Sequence, residues 1–205
     1  MNKMPCLFER DFSDKNRPRL LETVTPGCEW VLAGEGAATR KWDGTACAVI
    51  KGELYKRYDA KRGKEPPPGA IPCCDPDPVT GHWPHWVKVD PRKADDRYHA
   101  QTWQRIVGDL SVPRPDGISY LPRSKELRPL ADGTFELCGP KVGSNAEGLP
   151  EHVLVRHGTD VLEDAPRTFA GLRDYLGEHL IEGIVFHHED GRMCKIRRHD
   201  YGWPW

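Results

Sequence analysis

One stretch of this 205-residue chain leaves little choice of local structure. Residues 183–188 and 193–198 are two short runs rich in apolar side chains, and Glu189-Asp190-Gly191 lies between them. Such runs around an Asp-Gly turn read as an antiparallel hairpin, because glycine takes the positive φ the turn needs. Side chains alternate across a strand, so Lys195 and Arg197 project to one face. Two cations on one face suit a phosphate, which they can clamp. Glu182 enters the hairpin at its end, where an acid can hold a metal-bound water.

Other segments follow the same grammar. Residues 45–50 are apolar and partly β-branched and predict a buried strand. Lys51-Gly52-Glu53 predicts a turn, and residues 54–58 the returning strand, which brings Lys56 or Arg57 back towards Lys41. Further strands are expected at residues 86–89, 117–121, 134–138 and 153–155, with a turn at Asp132-Gly133 before the third of these. Glu136, between Phe135 and Leu137, points to solvent or to a cleft on the face away from them. Residues 98–110 carry Trp103, Ile106, Val107 and Leu110, a spacing open to a short helix or a buried strand; Pro113, Pro115 and Asp116-Gly117 after it favour strand. Thr168 caps a helix with Phe169, Leu172, Tyr175 and Leu176 on one face. Near the start of the chain, Leu20, Leu21, Val24, Trp30, Val31 and Leu32 are expected to supply a short helix or strand to the core.

The length suits one substantial domain, residues 1–205, with a loop-rich insertion at about 60–96, where Pro66-Pro67-Pro68 can sit in neither a helix nor a central strand. No apolar run nears the roughly 20 residues of a membrane helix, and residues 1–10 lack the apolar core of a signal peptide. Seven irregularly placed cysteines read as reduced thiols, so a cytoplasmic protein with no membrane attachment is expected. The net charge is −1, yet Lys51, Lys56, Arg57, Lys61, Arg62 and Lys64 crowd one segment, and Lys195, Arg197, Arg198 and His199 another. Local basic runs in a neutral chain fit a phosphate-lined groove. Cys73, Cys74, His82 and His85 invite a zinc reading, but adjacent cysteines are poor joint ligands and no Cys-x-x-Cys is present. Trp83, Trp86 and Val87 are expected instead to anchor that loop on the core.

The chemistry centres on Lys41-Trp42-Asp43-Gly44, which follows a Gly-rich stretch, Gly34 to Gly36. A lysine amine becomes a covalent nucleophile when desolvation or nearby positive charge lowers its pKa. Asp43 lies two residues on, on the same side of an extended chain, where it can hold a metal or orient the amine. Gly44 lets the backbone come close to a ligand.

These four residues resemble motif I of the lysine-dependent nucleotidyltransferases, the superfamily of ATP-dependent DNA and RNA ligases and mRNA capping enzymes. Lys56-Arg57-Tyr58-Asp59 is placed like motif Ia, Phe135-Glu136-Leu137-Cys138-Gly139 looks like motif III, Glu182-Gly183-Ile184-Val185-Phe186 like motif IV, and Lys195-Ile196-Arg197 like motif V. Five motifs in order cover most of the chain from Arg40 onward. The run from Glu182 to His187, Asp190-Gly191, residues 195–199, Gly202, the Trp-Pro ending and the loop at 81–87 look most like the stand-alone animal-type 5′-to-3′ RNA ligases.

The resemblance implies an α+β fold, a nucleotidyltransferase (ATP-grasp-like ligase) domain of antiparallel sheets flanked by helices. It implies ATP and Mg²⁺ as cofactors, with Mn²⁺ as a substitute, and as partner an RNA with 5′-phosphate and 3′-hydroxyl ends; no obligate protein partner is implied. Lys41 would attack the α-phosphate of ATP and carry AMP. Arg57 would contact the phosphate or the RNA end, and Glu136 the ribose hydroxyls. Glu182 and Asp43 would place the metal, and Lys195 and Arg197 would grip the α-phosphate. Arg40 and Gly44 complete the expected nucleotide-binding set; Arg40 stands where many RNA ligases carry an acid, and Arg197 where lysine is common. Nothing follows motif V, so no OB-type domain is expected. A GTP-using capping-type guanylyltransferase, a small DNA ligase and a non-catalytic nucleic-acid-binding module are the alternatives, with a zinc-binding interaction domain on the 73–85 loop as a further one.

Overall fold

The computed structural model describes residues 4–14, 18–108 and 130–205. In chain order it forms β1 (Phe8–Asp11), β2 (Arg19–Val24), the one-turn α1 (Glu29–Leu32), β3 (Ala37–Lys41), β4 (Thr45–Ile50), β5 (Glu53–Ala60) and β6 (Ile71–Pro72). There follow β7 (Trp83–Lys88), α2 (Arg97–Gly108), β8 (Gly133–Cys138), β9 (Val153–Arg156), α3 (Phe169–Glu178), β10 (Gly183–His187) and β11 (Met193–Arg197). The architecture is α+β, with antiparallel sheets and few helices. The chain divides into two compact units, one of Gly44–His157 and one that joins Met4–Asp43 to Gly158–Trp205.

The first unit is built on a six-stranded sheet in the order β6-β7-β5-β4-β8-β9. β4 lies inside it, and Cys47, Ala48 and Val49 are buried on both of its faces. Val49 pairs with Leu54 and Ile50 with Glu53, so only Lys51 and Gly52 form the turn. Both have positive φ, which the right-handed twist of a two-residue hairpin demands. Lys51 is an uncomfortable residue for that conformation. The Asp132 carboxylate, from just before β8, accepts both turn amides, at 2.8 and 3.3 Å, and holds the turn.

Residues 97–108 are helical, and the expected strand there is corrected. Tyr98, Trp103 and Ile106 pack on the core of Cys47, Val49, Leu54, Phe135, Leu137 and Leu154, the spacing of one helix face. Ala100, Gln101, Gln104 and Arg105 are good helix formers, and the Thr102 hydroxyl donates to the Tyr98 carbonyl one turn back. The prolines that favoured a strand act only beyond residue 108. The expected strand at 117–121, like Leu110, lies outside the described residues. Trp83, Trp86 and Val87 lie on β7; Trp83 Nε1 donates to the Cys74 carbonyl at 2.7 Å, and Trp86 is buried.

The second unit carries a three-stranded sheet, β11-β10-β3, and the hairpin β1-β2. Its core gathers Leu7, Phe8, Trp30 and Val31 from the first part of the chain with Leu172, Leu176, Ile184, Phe186 and Ile196 from the last. α3 starts where Thr168 predicts, its hydroxyl accepting the Gly171 amide at 3.2 Å. Thr168→Ala is expected to cost about 1 kcal/mol by orphaning that amide, measured as a shift in the denaturant midpoint at constant slope. Among the described residues no helix is long and apolar enough to cross a membrane.

Candidate active site

In the second unit, strand register decides which side chains meet. Gly183 of β10 pairs with Lys41 of β3 on one side and with Arg197 of β11 on the other. Val185 likewise pairs with Thr39 and with Lys195. Two residues along a strand share a face, so Lys41, Lys195 and Arg197 stand on one face. The intervening residues Ile184, Phe186, Cys194 and Ile196 are fully buried on the other.

Glu182, one residue before β10, turns its carboxylate to Lys41. Its Oε2 accepts from Lys41 Nζ at 2.5 Å, with the two side chains only 13% and 20% exposed. The pair joins residues 141 positions apart. Burial, then the charges of Lys41 and Arg197, push the Lys195 amine below its usual range. Lys195 is itself fixed at the backbone: its amide donates to the Pro5 carbonyl at 3.0 Å, and its carbonyl accepts from the Leu7 amide at 2.7 Å. Arg197 is held by Asp200, whose carboxylate accepts the Arg197 amide, Nε and Nη2 at 2.9, 3.3 and 3.0 Å.

Gly183 lets this row close up. A Cβ there would lie 2.3 Å from the Ile196 carbonyl oxygen and 2.8 Å from Arg197 Cα. Arg40 belongs to the strand's other face by alternation, and its guanidinium stacks 3.8 Å over the Trp42 ring. β3 ends at Lys41, so Asp43 lies in the bend beyond it and outside the extended run that was to align the two.

Three further predicted residues belong to the first unit. Glu136, on β8, has a partner the sequence reading missed: His157 Nε2 lies 2.8 Å from Glu136 Oε2. Gly44 serves close packing beside that acid, because a Cβ would fall 2.2 Å from the Leu137 carbonyl oxygen and 2.9 Å from Glu136 Cγ. Strand alternation parts Lys56 from Arg57. Lys56 ion-pairs with Asp96, whose carboxylate is buried. Arg57 pairs with Asp59 at 2.8 Å and lines a pocket of about 510 Å³ with Asp59, Cys74, Asp77 and His82. His85 is buried, its Nδ1 2.8 Å from the Trp83 carbonyl oxygen. Among the described residues no three His, Cys, Asp or Glu side chains gather as metal ligands.

Asp200, Arg10 and His157 escaped the sequence reading. Asp200 stands next to the basic run at 195–199 and had that one signal, an acid among cations; Arg10 and His157 had none.

A family model described as RNA ligase 1 matches residues 72–205. This chain belongs to the RNA ligase 1 family. The family match takes in Glu136, Glu182, Lys195 and Arg197 and begins beyond Lys41. Relatives extend it. An RNA ligase 1 of Danio rerio is 29% identical over 267 aligned residues, covering 99% of this chain and 81% of the relative, and so runs across Lys41. RNA ligase 1 proteins of Pongo abelii and Rattus norvegicus are 30% and 33% identical over 141 residues, 61% of this chain and 42% of each relative. The match agrees with the animal-type RNA ligase that the run from Glu182 to His187 and the Trp-Pro ending resemble.

Proposed function

We propose that this chain is an ATP-dependent RNA ligase that carries AMP on Lys41. The observation that carries the reading is the Lys41–Glu182 pair at 2.5 Å on the same sheet as Lys195 and Arg197, in a chain of the RNA ligase 1 family. An ammonium has no lone pair, so Lys41 must lose a proton before it attacks, and Glu182 is the acceptor nearest to that proton. The amine then bonds to the α-phosphorus of ATP as the bond to pyrophosphate breaks. Lys195 and Arg197 bind the phosphate oxygens and stabilise the charge gathering there. AMP next passes from Lys41 to an RNA 5′-phosphate, and a 3′-hydroxyl displaces it to seal the strand. The resemblance gives the ribose hydroxyls to Glu136, which has His157 on one of its oxygens, and the RNA end to Arg57.

The donor set fits Mg²⁺, a hard cation that takes one or two carboxylates plus substrate phosphates rather than a cage of protein ligands. Glu182 and Asp43 are the carboxylates that would hold it. Bound there, the ion neutralises phosphate charge.

Purified protein incubated with labelled ATP or GTP tests the reading. AMP bound covalently and released by pyrophosphate is the expected result, followed by sealing of 5′-phosphate RNA. A GMP adduct points to a capping-type enzyme, sealing of DNA alone to a small DNA ligase, and no adduct to a binding module without catalysis.

A further inference from the structure

The N-terminal segment, residues 5–11, lies outside every motif and outside the family match, which starts at residue 72. It nevertheless reaches both cations of β11. Cys6 forms an isolated parallel bridge with Lys195, so residues 5–7 run alongside the outer edge of β11. The two backbone bonds from Pro5 and Leu7 converge on Lys195 itself. Three residues further on, Arg10 turns to the other cation's support. Its Nη2 donates to Asp200 Oδ1 at 2.7 Å, the oxygen that also accepts Arg197 Nη2. Asp200 is 1% exposed at its side chain, and its second oxygen accepts the Arg197 amide and Nε and the Cys6 thiol.

Electrostatics gives this arrangement a direction. Asp200 alone cancels the charge of Arg197 and Glu182 that of Lys41, which would leave the phosphate face with Lys195 only. Arg10 supplies a second guanidinium to the same carboxylate, so the trio keeps one net positive charge. The Nε and Nη2 edge of Arg197 is spent on Asp200, which leaves its Nη1 for an outside anion. We infer that Arg10 and Asp200 are positioning residues for the phosphate clamp, and that the N-terminal segment is a working part of the active site through the Arg10–Asp200–Arg197 trio. The inference rests on the lysyl-AMP reaction proposed above.

The test measures formation of the covalent AMP adduct against ATP concentration in the full chain. Arg10→Met keeps the aliphatic stem and removes the charge. It should raise the KM for ATP about tenfold, the worth of one charge-assisted contact, and leave kcat within about threefold. Arg10→Lys should bring KM back to within about threefold of the parent. A merely structural defect lowers the amount of competent protein, and with it the amplitude, but leaves KM alone. In an Asp200→Asn background, Arg10→Met should change KM by less than about twofold, because the path between them is gone. A parent chain that charges with AMP, together with an Arg10→Met variant of parental KM, overturns the inference and spares the reaction. A parent chain that takes no AMP overturns the reaction, and this role with it.

Discussion

Lys41→Ala is expected to take up no AMP, with adduct formation falling by more than about a thousandfold, the scale on which enzymes lose a covalent nucleophile. The prediction is sharper than a loss of activity. Lys195 stands on the same face of the same sheet, and burial with the charges of Lys41 and Arg197 holds its amine below the usual range. It is the rival nucleophile. What separates them is Glu182, whose Oε2 lies 2.5 Å from Lys41 Nζ. Mass spectrometry of digested protein after incubation with ATP decides between them. AMP on the peptide containing Lys41 in the parent, and on none in Lys41→Ala, is the expected pair of results. AMP on Lys195 in the variant would falsify the assignment.

Gly183→Ala should disable the site without touching a charged group. Its new methyl would meet the Ile196 carbonyl oxygen and Arg197 Cα, both backbone, at distances no carbon tolerates. A side chain could swing away, but a strand cannot. β10 must therefore move from β11 next to Glu182 and at the pair that aligns Lys41 with Arg197. Ile184, Phe186 and Ile196 are fully buried, so the shift reaches the core of this unit. Overpacking of this kind costs about 1–3 kcal/mol. Thermal unfolding should move down by roughly 2–12 °C, and adduct formation should fall more than about tenfold even at temperatures where the variant is folded. Parental values of both would show that the strands part more easily than the packing allows.

The hairpins were readable because their determinants are local. Gly52 and Gly191 with their neighbours mark turns, and alternation on either side states which residues share a face. That alone placed Lys195 and Arg197 together, and buried β4. Thr168 likewise announced α3. The misread segment is instructive. Trp103, Ile106 and Val107 satisfy a helix or a strand equally well, and the choice fell to Tyr98, Trp103 and Ile106 finding the core of the first unit on one helical face. Lys56 and Arg57, one residue apart, were offered as alternatives for one task, and Asp96, forty residues away, claims Lys56.

Lys41, Glu182, Lys195 and Arg197 could be singled out before their partners were known, because lysine, glutamate and paired cations suggest their chemistry by type and order, and the structure brings these four onto one sheet. Their partners were not legible. Asp200 reads as an ordinary acid beside a basic run, Arg10 as one charge among many, and residues 5–7 carry no pattern that points to β11. Residue type and short-range periodicity thus determined the turns and the shared faces and marked the candidate groups, since these depend on backbone sterics and side-chain chemistry within a few positions. Only the tertiary structure decided that Glu182 sits on Lys41, that Asp200 is shared between Arg10 and Arg197, and that the first strand-like segment lies along the last strand. The Lys41–Glu182 and Arg10–Asp200 contacts bridge 141 and 190 positions and depend on sheet register and burial, which no local pattern encodes.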